Sequence, residues 1–185
     1  MLYFTVSPTL TMKVVNLGEE CGTYDDIQLQ EAKKTNKFGK MYYLKDRIYL
    51  VQRTPSTGYN MWESARGEKQ LRLSMPEDLQ KELINIEKAI ISKFPNLLFK
   101  THDDGNIYVK FGKDCSTEIV ANGELQYTIQ IYGIFTQNST GNTFFQLELI
   151  EQQSKKMSLL NRFSSPTTTG YNYEPNSKAW EKSNF

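Results

Sequence analysis

Residues 127–135 read Tyr-Thr-Ile-Gln-Ile-Tyr-Gly-Ile-Phe, and residues 143–150 read Thr-Phe-Phe-Gln-Leu-Glu-Leu-Ile. Apolar and polar side chains alternate through most of both stretches, which is the period of a half-buried β-strand. The segment between them, Asn-Ser-Thr-Gly-Asn at 138–142, is typical of a turn. The pattern therefore predicts a β-hairpin in which Ile129 and Ile131 face a core.

A second hairpin is predicted earlier in the chain, after a strand at 10–17. The runs 40–44 and 47–53 are rich in β-forming residues and are joined by the short polar Lys45-Asp46. If Ile48 and Leu50 enter the core, four alternating side chains point outward together: Arg47, Tyr49, Val51 and Arg53. Residues 54–67 are interpreted as a loop that contains Tyr59 and Trp62. Trp62 is either an exposed ring or a lid folded over the domain's own core.

One helix is predicted between these β-rich regions, at about residues 76–94. Its apolar residues recur at helical spacing: Leu79, Leu83, Ile86, Ile90 and Phe94. Ser74-Met75-Pro76-Glu77 has the pattern of a capping box at its start, and Pro95 follows its end. Further strands are predicted at 69–74, 97–100 and 107–111.

The length and composition favour one mainly β domain followed by a tail. A chain of 185 residues can bury one core, and its eleven Tyr and ten Phe favour β structure. From about Gln152 the alternation fails and a polar segment with Pro and Gly follows. We therefore expect a domain at 1–153 and a flexible tail at 154–185, in which Trp180 and the terminal Phe185 are candidate partner-binding residues.

The order of these elements, strands, one helix and a closing hairpin, is the element content of a five-stranded OB barrel. In the amino-acid sequence of the hairpin at 127–135 and 143–150, the chain resembles the OB-fold single-stranded DNA-binding proteins of viruses and phages. The resemblance in layout spans about residues 10–150. It implies a five-stranded OB-like barrel, a viral protein that acts on DNA during replication or recombination, and a C-terminal tail that docks partner proteins.

The charge distribution also favours a nucleic-acid ligand. Residues 33–72 carry ten basic side chains against three acidic ones, a local charge of +7 in a chain with a net charge of +1. Tyr and Trp are interleaved with these bases. Cations suit phosphates and flat rings suit unstacked bases, so the segment favours single-stranded nucleic acid as the ligand. The alternative is an ordinary solvated hairpin whose tyrosines are half-buried strand residues.

The predicted function is therefore sequence-tolerant binding of single-stranded nucleic acid, DNA in the first instance, to protect or organise single strands. RNA remains open because reading the 2′-OH depends on local geometry, and self-association is left open. The predicted binding residues are Lys40, Tyr42, Tyr43, Arg47, Tyr49, Arg53, Tyr59, Trp62, Arg66, Lys69, Arg72, Tyr108, Lys110 and Tyr132. The alternative is an adaptor protein whose basic face binds an acidic protein partner.

No enzymatic motif or cofactor fingerprint is present in the sequence, and no enzyme activity, cofactor or metal is expected. The two cysteines, Cys21 and Cys115, lie far apart and His102 is the single histidine, so a zinc or iron–sulfur site is not expected. No secretory leader and no apolar run near 18 residues is recognised. We therefore expect an intracellular protein without membrane association, in the cytoplasm or nucleus of a host cell if it is viral, with free thiols.

Overall fold

The computed structural model describes residues 12–34, 36–100 and 105–157. These residues form one helix and nine strands, which belong to a single sheet. The elements are β1 (Lys13–Asn16), β2 (Leu29–Glu31), β3 (Gly39–Ser56), β4 (Tyr59–Glu63), β5 (Lys69–Ser74), α1 (Glu77–Lys93), β6 (Leu98–Phe99), β7 (Asn106–Phe111), β8 (Glu124–Gln137) and β9 (Asn142–Lys155).

The sheet is open, with the order β1-β3-β8-β9-β7-β5-β4 and with β2 and β6 pairing β3 and β9 beside this path. The prediction of a five-stranded OB-like barrel is therefore wrong, whereas the mainly β fold with one helix is confirmed. The three long strands β3, β8 and β9 pair antiparallel along most of their length, whereas β1 joins β3 and β7 joins β9 in parallel. Closing a barrel requires its two edge strands to pair. Among the described residues β1 pairs only with β3 and β4 only with β5.

The hairpin predicted at 40–53 is also wrong, because β3 is one strand of 18 residues. Lys45-Asp46 lies at an irregularity between Tyr43 and Ile48, and both sides of it pair with β8. The chain comes close to β8 there: a Cβ added at Gly133 would lie 2.3 Å from the carbonyl oxygen of Tyr42. A polar dipeptide between two β-rich runs is compatible with a bulge as well as with a turn. Because both runs pair with the same strand, β8, the dipeptide lies in a bulge.

The helix agrees closely with its prediction. Its buried apolar residues are Leu79, Leu83, Ile86 and Ile90, which join one core with buried residues of the strands. The capping box is wrong, because Pro76 is the N-cap and no side chain caps the helix. The helix is bonded to the segment after β1, since Asn85 Nδ2 donates to the Gly22 carbonyl (2.8 Å) and Lys93 Nζ to that of Ile27 (2.7 Å).

The remaining strand predictions divide into confirmed and corrected ones. The strands predicted at 69–74 and 107–111 and the hairpin at 127–150 are confirmed by β5, β7, β8 and β9. The predicted loop at 54–67 instead contains the end of β3 and all of β4. Strand β9 continues two residues beyond the predicted boundary at 153, and the compact unit to which it belongs ends at Lys155. Most of the predicted tail, 158–185, with Trp180 and Phe185, lies outside the described residues.

Candidate nucleic-acid interface

The face of the sheet opposite the core carries most of the predicted binding residues. Residues paired directly across neighbouring strands project to the same face. One continuous row therefore crosses seven strands: Trp62, Gln70, Lys110, Glu148, Gln130, Tyr49 and Val14. We call this side of the sheet, defined by that row and its neighbours on the same face, the open face. Five strand spacings separate Trp62 from Tyr49, about 24 Å at roughly 4.8 Å per strand.

At one end of the row, two exposed rings form a pair. Trp62 on β4 and Tyr108 on β7 lie with ring centroids 5.2 Å apart and planes inclined by 62°. Both side chains are 41 % exposed. Alternation along β4 puts Met61 on the core side and Trp62 on the open side, because Met61 pairs with the fully buried Leu71. Trp62 is therefore not a lid over the core, and its ring is partly exposed on the open face.

At the other end, a buried amide orients two side chains of the open face. The Gln130 side chain is almost fully buried. Its Oε1 accepts a hydrogen bond from the Tyr49 hydroxyl (2.7 Å) and another from Arg47 Nη1 (3.2 Å). Alternation along 127–135 puts Gln130 on the side of the strand opposite Ile129 and Ile131. Its partners depend on the pairing of β3 with β8, which the sequence did not reveal.

Two more tyrosines lie in this part of the open face. Tyr43 pairs with Gly133 and is 46 % exposed. Burial raises the pKa of Tyr132, and the nearby Glu148 and Tyr43 add to the rise while Arg47 opposes it. Tyr132 therefore keeps its phenol proton and can donate a hydrogen bond at neutral pH.

The bases of the open face include one with a buried donor atom. Arg72 lies between Asn60 and Tyr108 in the register. Its Nε is buried and has no hydrogen-bond partner in the described part of the chain. A buried guanidinium donor left unpaired is costly. Lys110, two residues after Tyr108, is exposed.

The open face has mixed charge. Arg47, Arg53, Arg72 and Lys110 project from it, but Glu148 stands in the middle of the row and Glu151 pairs with Thr128 on the same side. The other seven bases of the 33–72 segment are spread over turns, strand ends and the opposite side of the sheet. The +7 segment is therefore not one surface. The ring-bearing row, and not the charge run, defines the candidate interface.

Four of the predicted residues do not lie on the open face. Tyr59 is buried at 7 % exposure and its hydroxyl donates to the Val120 carbonyl (2.6 Å), so the prediction that it stacks on a base is wrong. Tyr42 packs against the core. Alternation puts Lys40 with Tyr42, and Lys69 with the buried Leu71, on the core side at strand ends.

Arg66 lies in the turn that joins β4 to β5, beside the end of the row. The amides Gln70, Gln130 and Gln146 and the carboxylate Glu148 belong to the open face but were missing from the predicted site. The signal that could have found them is the alternation along their strands, combined with the strand order.

No protein-family model, curated protein or solved structure matches the chain. Among the described residues no helix has the length and apolar character needed to span a membrane, and no group of three or more His, Cys, Asp or Glu is placed to hold a metal ion.

Proposed function

We propose that the open face binds single-stranded nucleic acid, DNA in the first instance, with little dependence on sequence, and so protects or organises single strands during replication or recombination. One observation carries the proposal: four tyrosines and one tryptophan share the open face with Arg47, Arg72 and Lys110. These side chains are Tyr43, Tyr49, Trp62, Tyr108 and Tyr132.

The division of labour follows from the chemistry of a single strand. An unpaired base offers a flat face, and stacking on an aromatic ring contributes about 1 to 3 kcal/mol per base. Arg72, which pairs with Tyr108 across β5 and β7, and the exposed Lys110, two residues after Tyr108, supply cations for the backbone. A duplex hides its base faces, so the rings favour single strands over duplex.

The test is a binding titration by fluorescence anisotropy with labelled single-stranded and duplex oligonucleotides, at about 50 and 200 mM salt. Three phosphate contacts, from Arg47, Arg72 and Lys110, predict a log-log salt slope near −2, at about 0.7 ions released per contact. An RNA strand of matching sequence measures the effect of the 2′-OH.

Single substitutions separate the contribution of stacking to the affinity from the contribution of charge. Trp62→Ala should weaken binding about 5- to 150-fold with an unchanged salt slope, because stacking releases few ions. Lys110→Ala should weaken binding and flatten the slope by about 0.7. Phe94→Ala, on an exposed ring at the end of α1, and Lys69→Ala, on the core side of β5, are the matched controls. Neither control should change affinity.

Equal affinity for single strands and duplex, or no binding at low salt, overturns the proposal. The mixed charge of the open face makes a protein partner the second candidate. If the protein binds poly-glutamate but no oligonucleotide, the adaptor function is supported in its place.

A further inference from the structure

A cleft opens in the sheet between β7 and β9. Strand β6 pairs with the start of β9 at Phe99↔Thr143, and β7 pairs with it again only from Lys110↔Glu148 onward. Among the described residues, no strand pairs with 144–147 on this side. Thr143 and Leu149 direct their carbonyls toward this side, where they accept from Lys100 and Gly112. By alternation, the backbone groups of residues 145 and 147 also face the cleft.

The cleft has a volume of about 390 Å³, at the lower end of the roughly 300–1,000 Å³ typical of small-molecule sites. It is continuous with the open face, because Tyr108, Lys110 and Gln146 belong to both. Its lining includes aromatic rings, carboxamides and cations suited to one nucleotide, among them Tyr108, Phe144, Gln70, Gln146 and Lys110.

We propose that this cleft receives one base, an adenine, extruded from the single strand bound to the open face. The inference rests on the proposed function and adds one selective position to an otherwise sequence-tolerant site. Tyr108 and Phe144 contact the base through their rings, and Lys110 contacts the adjoining phosphate. A carboxamide presents a donor and an acceptor side by side, and this pair matches the N6 and N7 edge of adenine. Gln70 and Gln146 supply that pair.

The closed ends of the cleft favour a base over an extended peptide. A peptide that adds to a sheet edge needs a run of free backbone positions along the strand. Here β6 and β7 occupy β9 on both sides of residues 144–147, so a strand could not continue past either end. A compact planar group that enters from the open face meets no such obstruction.

The test compares the affinity of the full chain for oligo(dA) and oligo(dT) of equal length. The expected preference for oligo(dA) is at least about fivefold, the lower end of what one bidentate amide–adenine pair supplies. Gln146→Leu and Gln70→Leu should each bring the ratio of oligo(dA) to oligo(dT) affinity toward one, because an apolar side chain cannot read the base edge. Gln80→Leu, on the exposed surface of α1, is the matched control and should keep the preference. Circular dichroism verifies that each variant is folded.

Adenosine monophosphate, added as a competitor, tests whether the cleft binds a free nucleotide as well as a base within a strand. Saturating adenosine monophosphate should remove the oligo(dA) preference without displacing oligo(dT). Tight and equal binding of oligo(dA) and oligo(dT) overturns the base cleft and leaves the proposed function intact. A preference that survives both Gln→Leu substitutions also overturns it, because stacking alone then explains the selectivity. Absence of binding to either strand overturns both inferences.

Discussion

Tyrosine residues have two different roles in this protein, as core residues and as rings of the open face. The neighbouring residues decide which role each tyrosine has. Tyr24 and Tyr59 are buried, and their hydroxyls donate to Glu82 and to the Val120 carbonyl. Tyr49 and Tyr108 belong to the open face. A phenol ring tolerates both environments, because its body is apolar and its hydroxyl needs only one partner when buried. The residue type alone therefore does not distinguish a stacking ring from a core ring.

The buried Tyr24 predicts a loss of stability at alkaline pH. Burial, followed by the hydrogen bond to Glu82 and the charge of that carboxylate, raises the pKa of Tyr24 well above its ordinary value near 10. In the unfolded chain Tyr24 ionises near pH 10, whereas in the folded protein it stays protonated. The free energy of unfolding should therefore fall as the pH rises above about 10.

Urea unfolding at pH 8 and above pH 10 checks this expectation. Tyr24→Phe should lower the free energy of unfolding by about 1–3 kcal/mol at pH 8, because the buried Glu82 loses a donor. It should also reduce the further loss at high pH. Tyr108→Phe, on an exposed ring of the open face, is the matched control. An alkaline loss in Tyr24→Phe as large as in the wild type would assign the effect to other groups.

At the scale of elements, the start of α1 shows how a helix can form without a side-chain cap. Glu77 and Asp78 place negative charge in the first turn, where the helix dipole favours it. Pro76 supplies an extended backbone at the N-cap but no hydrogen-bond acceptor from its side chain. Ser74 lies two residues too early to cap the helix.

A pair of substitutions at Pro76 measures the missing cap. Pro76→Ser and Pro76→Ala both lose the proline ring, so their difference isolates the side-chain hydrogen bond. Pro76→Ser should be more stable than Pro76→Ala by about 0.5–2 kcal/mol in urea unfolding. Ser74→Ala should change the free energy of unfolding by less than about 0.5 kcal/mol. A large loss in Ser74→Ala, with no difference between the two Pro76 variants, would restore the predicted capping box.

At the scale of the whole molecule, β9 pairs with β8 on one side and with β6 and β7 on the other. Its last residues complete the pairing with β8. Ser154 pairs with Leu125, and Lys155 pairs with Glu124. The Ser154 hydroxyl also accepts a hydrogen bond from the Val120 amide (2.9 Å). The folded unit therefore includes residues 154 and 155, which lie beyond the predicted boundary at 153.

Two truncations test where the folded unit ends. A chain that stops at Met157 should keep the urea midpoint of the full chain and its affinity for single strands, because every described strand is complete. A chain that stops at Gln153 should lose about 1–3 kcal/mol of stability, since the Val120 amide loses its acceptor. Equal stability of the two truncated chains contradicts the role of Ser154. A destabilised Met157 chain would show that residues 158–185 contribute to folding.

The sequence by itself determined the local elements and the sides to which their residues point. The helix with Leu83 and Ile86, the hairpin of β8 and β9, and the outward set of Arg47 and Tyr49 all follow from periods of 3.6 and 2 residues, which depend only on near neighbours. The sequence also predicts Trp62 as a candidate binding ring, but within a loop and not on a strand.

Only the tertiary structure decided the open sheet, the single strand β3 and the row that joins Trp62 to Tyr49. These features depend on pairing between residues far apart in the chain, and the same alternation is compatible with many strand orders. Tyr59 and Trp62 illustrate the limit, since they lie three residues apart on one strand. The period of 2 sends them to opposite faces, and which face is buried depends on where the core of the distant strands lies.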